Sequence, residues 1–273
     1  MPEDMAGGLR CWWSETGQGP ERALMIHCSL AHSGVWAGLA DRLGDLLTMR
    51  AFDLPGHGRS GDWDGVSHYQ TVARDMALDL MDADAPMHLI GHSFGGTVAL
   101  RIAVEQPQRV KSLVLIEPVC FGAAFLDDPD ARDRVAVQRP EYTAALAAGD
   151  FETAARWFVE DWGVGRKWDE LRPGQRAEMV RKMPMISGIR DVNYGDAGGI
   201  LRPGALDGIS APVLLIEGAG SPAIIDKTNA ALARRIPACD RSVIPGASHM
   251  APITHPAETA AEIRAFLTRH ARA

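Results

Sequence analysis

The chain has 273 residues, 46% of them hydrophobic and 23% charged, which suits one large globular domain with a sizeable core. Its formal net charge of −7 argues against nucleic acid or an anionic membrane surface as the main partner, because both select a basic face. No stretch approaches the ~18 apolar residues of a membrane span, so no transmembrane helix is expected.

Short apolar runs then alternate with helical patterns. LRCWWSE (9–15) and ALMIHCS (23–29) predict early strands, and VWAGLADRLGDLL (35–47) carries apolar residues at helical spacing. TMRAFDL (48–54) predicts a strand, followed by the glycine-rich loop PGHGRSGDWDG. SHYQTVARDMALDLMDA (67–83) predicts a helix with Ser67 as its N-cap. MHLIGHS (87–93) predicts a buried strand, FGGTVALRIAVEQP (94–107) a helix stopped at Pro107, and KSLVLIEP (111–118) another strand. This alternation implies a parallel sheet covered by helices on both faces.

The rhythm breaks over residues 120–208, where only amphipathic helical runs occur, and resumes with PVLLIEG, IIDKTNAALARRI, DRSVIPG and PAETAAEIRAFLTRH. Residues 1–119 and 209–273 are therefore expected to form one α/β core domain, with 120–208 a helical cap over one end of its sheet. Four scattered cysteines, Cys11, Cys28, Cys120 and Cys239, contain no C-x-x-C pair. MPEDMAGGLR lacks a basic stretch leading into an apolar run, so a cytoplasmic protein with reduced thiols is expected.

The strongest chemical signal is LIGHSFGG (89–96), a G-x-S-x-G with an apolar strand before it and a helix after it. A strand-to-helix turn this tight leaves no room for side chains at Gly91 and Gly95, and it projects the Ser93 hydroxyl beyond the carboxyl end of the sheet. The helix starting at Phe94 aims its N-terminus at an oxyanion formed there. Among nine histidines, His249 in IPGASHMAP is the expected general base, because its loop follows the last strand and reaches that same end. His57 falls in a loop-building motif, His255 precedes a helix-starting proline, and His92 should point away from the nucleophile.

The order IHCSLAHSGVW, FDLPGHGRSG, LIGHSFGG, LVLIEP, a helical insertion, PVLLIEG and PGASHMAPITHP resembles the α/β-hydrolase superfamily, over nearly all of the chain outside the insertion. The resemblance implies the α/β-hydrolase fold: a mostly parallel eight-stranded sheet flanked by helices, with an α-helical cap. It also implies an oxyanion hole made by the backbone N–H of Phe94 and of Ser29. Where relatives carry a glycine before the second donor, this sequence has Cys28, read as a small apolar filler.

Relatives usually place the triad acid before a proline in the loop after strand seven, and Ser221 stands in that slot. Glu117, ending strand six in LVLIEP, is the expected acid, as in haloalkane dehalogenases that this arrangement resembles. Asp226, Glu217 and no acid at all are the alternatives, and with Glu117 in the role Ser221 reads as a neutral loop residue. The expected activity is hydrolysis of a small-molecule carboxylic ester through an acyl-enzyme, with no cofactor and no metal. A carbon–carbon bond hydrolase, lactonase or perhydrolase on the same residues, and a ligand-binding receptor or degenerate non-catalytic hydrolase, are the other readings. Phe121, Phe125 and Trp157 are the expected substrate contacts.

Overall fold

The computed structural model describes residues 3–138 and 140–270. Among them, eight strands form one sheet: β1 (Glu3–Ala6), β2 (Leu9–Thr16), β3 (Glu21–Ile26), β4 (Leu47–Phe52), β5 (Met87–His92), β6 (Val110–Ile116), β7 (Val213–Gly218) and β8 (Cys239–Ile244). Their spatial order is β1-β2-β4-β3-β5-β6-β7-β8. β1 and β2 run antiparallel to their neighbours, and every pairing from β4 to β8 is parallel.

Two-residue alternation assigns each strand's apolar side chains to two cores. Leu24 and Ile26 of β3, Leu113 and Leu115 of β6, and Val213 and Leu215 of β7 face one cluster. Against it pack the buried sides of α2 (Tyr69–Leu80), α3 (Phe94–Glu105) and α10 (Ala223–Ala233). Ala23 and Met25, Val114 and Ile116, and Leu214 and Ile216 face the other, where α1 (Ala37–Leu43) and α12 (Pro256–His270) supply Leu39, Leu43, Ile263 and Phe266. Because both faces are covered, the central strands read as continuous apolar runs.

Between β6 and β7 the chain forms α4 (Gly122–Asp127), α5 (Ala131–Gln138), α6 (Pro140–Ala148), α7 (Phe151–Trp162), α8 (Pro173–Gly188) and α9 (Arg190–Tyr194). Salt bridges from Asp127 to Arg234 and Arg235, and from Asp128 to Lys227, tie the start of this segment to the core. The short helix α11 (Ala251–Thr254) follows β8.

Two local expectations are corrected. His68, not Ser67, caps α2: its Nδ1 accepts the Thr71 N–H at 3.3 Å, while Ser67 Oγ donates to Asp64. β3 stops at Ile26 rather than Ser29, because His27 and Cys28 leave the ladder to build the loop described next.

Candidate active site

The turn from β5 into α3 holds Ser93 at φ 55° and ψ −118°, a region disfavoured for a residue with a Cβ. Its N–H is tied to Ile116 O on β6 at 2.9 Å. The neighbouring glycines are required sterically. A Cβ on Gly91 would lie 2.5 Å from Gly95 O, and one on Gly95 would lie 2.1 Å from Ile26 O. As the first residue of α3, Phe94 has an N–H with no acceptor inside its own helix.

The loop facing that N–H is braced by two neutral imidazoles. His27 Nδ1 donates to Cys28 O at 2.7 Å while its Nε2 accepts the Leu54 N–H at 2.9 Å. His57 Nδ1 donates to Pro55 O at 2.9 Å while its Nε2 accepts the Leu30 N–H at 3.0 Å. Backbone donors at both Nε2 atoms fix the tautomers. Burial lowers His27 to about 4 and holds His57 well below the ordinary imidazole value. His57 thus does the loop-building expected of its motif, and Leu30 sits at φ 62° next to Ser29. Burial pushes the Cys28 thiol up to about 12, which leaves it unreactive.

His249 lies between the serine and an acid. Its Nε2 is 3.0 Å from Ser93 Oγ, and its Nδ1 is 3.1 Å from Glu117 Oε2. Glu117 is fully buried at φ 53°, just beyond β6. Its other oxygen, Oε1, accepts the Gly218 N–H and the Ser221 hydroxyl, each at 2.6 Å. Ser221, expected to be a neutral loop residue, is instead bonded to the buried carboxylate. The two rival carboxylates point elsewhere. Glu217 accepts from Asn229 at 2.6 Å and from Arg241 at 3.0 Å, and Asp226 pairs with the same Arg241 at 2.7 Å. His92 packs its ring 5.3 Å from that of His249, and its Nε2 donates to His249 O at 2.8 Å.

Ser93 and His249 open into a cavity of about 730 Å³ lined also by Ser29, Phe121, Phe158, Trp162 and Tyr194. Of the three expected contacts, Phe121 lines it, while Phe125 and Trp157 do not. Phe125 sits behind Tyr194, with ring centroids 6.3 Å apart, and carries the Arg132 guanidinium 5.3 Å from its own centroid. Trp162, at the end of α7, lines the cavity although it is not among the expected contacts. Its ring meets His249 edge to face at 4.7 Å and stacks on Phe121 at 5.9 Å. Nothing in the local pattern of α7 distinguishes Trp162 from Trp157, since only the docking of that helix decides which indole faces the cavity.

The alpha/beta hydrolase family matches residues 23–262. The pimeloyl-(acyl-carrier protein) methyl ester esterase of Methylococcus capsulatus is 29% identical over 262 residues, covering 92% of this chain and 96% of that protein. Lipase LipV of Mycobacterium tuberculosis is 31% identical over 260 residues, covering 91% of this chain and 94% of that protein. Among solved structures, the enol-lactonase from Burkholderia xenovorans LB400 superposes with a TM-score of 0.71 at 20% identity, covering 98% of this chain and 100% of that one, a likeness of fold. A mostly parallel sheet carrying a serine elbow, and a family match over most of the sequence, lead to one assignment: this chain belongs to the alpha/beta hydrolase family.

Proposed function

We propose that the protein is a serine hydrolase that cleaves carboxylic esters through an acyl-enzyme. The observation that carries this reading is the unbroken run of contacts from Ser93 Oγ through His249 to Glu117, opening into a cavity. The esterase and lipase named above, alike over nearly their whole lengths, support the choice of ester chemistry.

In this reading His249 Nε2 takes the Ser93 proton as Oγ attacks the ester carbonyl. Glu117 fixes the Nδ1–H tautomer and stabilises the imidazolium that forms. The N–H groups of Phe94 and Ser29 receive the tetrahedral oxyanion, with the α3 N-terminus behind them. His249 then returns the proton to the departing alkoxide, and activates the water that releases the acid. The helical segment 120–208 serves as a cap on a core of 1–119 and 209–273, and its Phe121 and Trp162 shape the acyl or alcohol site.

The test is hydrolysis of short-chain p-nitrophenyl esters. An initial burst of p-nitrophenol and its loss in Ser93→Ala are expected. Turnover that survives Ser93→Ala would overturn the reading.

A further inference from the structure

Ser221 has a place in the site that a neutral loop residue does not need. It ends a tight turn after β7, with its own N–H bonded to Gly218 O at 3.0 Å. That turn touches Glu117 and the loop that carries His249. On one side, Gly220 N–H donates to Ala247 O at 2.8 Å, and a Cβ on Gly218 would lie 2.5 Å from Ala247 O. The turn is thereby pressed against the loop that carries His249. On the other side, Gly218 N–H and Ser221 Oγ both reach Glu117 Oε1 at 2.6 Å.

The glutamate needs such an anchor. Its side chain has three rotatable bonds, and a carboxylate held by one hydrogen bond to imidazole is free to swing. Two donors on Oε1 fix the plane of the group and leave Oε2 facing His249 Nδ1 at 3.1 Å. One of those donors is the backbone N–H of Gly218, which a change at Ser221 leaves in place. The other is the Ser221 hydroxyl.

We propose that Ser221 is a positioning residue, which acts on catalysis through Glu117 by holding its carboxylate in line with His249. This rests on the reading of Glu117 as the triad acid. Ser221 makes no bond to His249 or to Ser93 among the contacts of the described residues, so its influence should pass through the glutamate alone.

The experiment is a double-mutant cycle on p-nitrophenyl ester hydrolysis with Ser221→Ala, Ser221→Thr, Glu117→Gln and the Ser221→Ala/Glu117→Gln pair. Ser221→Ala should lower kcat by about 10- to 100-fold with KM little changed, because a misaligned catalytic group costs on that order. Ser221→Thr, which keeps the hydroxyl, should regain most of the loss. In the Glu117→Gln background Ser221→Ala should have no further effect, as expected of two groups acting as a unit. Near-normal kcat in Ser221→Ala, or an equal loss in both backgrounds, would overturn the proposal. Near-normal kcat in Glu117→Gln would instead overturn the underlying acid assignment. Thermal unfolding of all four variants separates either result from failure to fold.

Discussion

The indole of Trp162 stands against the imidazole of His249 with ring centroids 4.7 Å apart and planes at 75°. One ring comes from α7 in the helical segment and the other from the loop after β8, so this contact joins that segment directly to the site. An edge-to-face aromatic pair contributes about 0.5–1.5 kcal/mol beyond area burial. Trp162→Ala should therefore lower kcat by about 3- to 10-fold, and Trp162→Phe by less. Steady-state kinetics decide it. An unchanged kcat with a raised KM would mean that the indole only walls the cavity.

The acidic residues near the end of β7 separate by what they touch. Asp226 is largely exposed and pairs with Arg241 on the surface, so Asp226→Asn should leave kcat within about twofold, since such pairs contribute little. Glu217 is buried beneath the same arginine and accepts from Asn229. Glu217→Gln should keep kcat but lower unfolding stability by about 1–3 kcal/mol, because buried partners lose a charge-assisted bond. Urea denaturation alongside the kinetics checks both. A large kcat loss in Asp226→Asn would return that residue to candidacy as the acid.

The central strands were legible because burial on both faces leaves β5, β6 and β7 as apolar runs that nothing else explains. β1 was not, since Glu3–Ala6 is short, lies at a sheet edge and carries two acidic residues. Ser93, His249 and Glu117 were named from motif and position, and His249 lies within hydrogen-bonding distance of each of the other two. Ser221 was read as neutral because its bond joins residues 104 positions apart, a relation no local pattern expresses. The same limit applies to Phe125 and Trp157. Sequence can name aromatic side chains between β6 and β7, but helix docking sets which rings face the cavity.

Buried imidazoles set an acid limit on stability. Burial lowers His27 and His88 from 6.5 to about 4 and His92 to about 3, and it holds His57 well below 6.5. These rings are neutral when folded, so at pH below 6.5 the unfolded chain binds more protons than the native one. Their contribution is fully present above 6.5 and is lost as pH falls toward 4. Each fully depressed ring costs about 1.4 kcal/mol for every pH unit crossed. The urea midpoint should fall steeply between about pH 6.5 and 4.5, before ordinary carboxylates titrate in force. His88→Gln, in a ring bonded to Ser112 away from the site, should flatten the profile and leave activity in place. A midpoint constant down to about pH 5 would contradict the neutral, buried state of these rings.

Gly95 and Gly96 are adjacent in sequence and should respond very differently to alanine. A Cβ on Gly95 would meet Ile26 O at 2.1 Å and His27 O at 2.5 Å, both backbone atoms where β3 gives way to the loop bearing Ser29. A Cβ on Gly96 would find its nearest neighbour, a Pro118 side-chain atom, at 3.3 Å. Overpacking against a fixed backbone costs about 1–3 kcal/mol or more, relieved here only by moving that loop away from α3. The two proposed oxyanion donors, Ser29 and Phe94, lie on opposite sides of this contact, so the displacement would spread them. Gly95→Ala should therefore lose at least about 100-fold in kcat, the scale of a lost oxyanion donor, along with stability. Gly96→Ala should keep kcat within a few-fold, since the only adjustment needed is a few tenths of an ångström at Pro118. Parallel kinetics and thermal unfolding of the pair test this, and equal losses in both variants would show that the elbow tolerates no added methyl wherever it points.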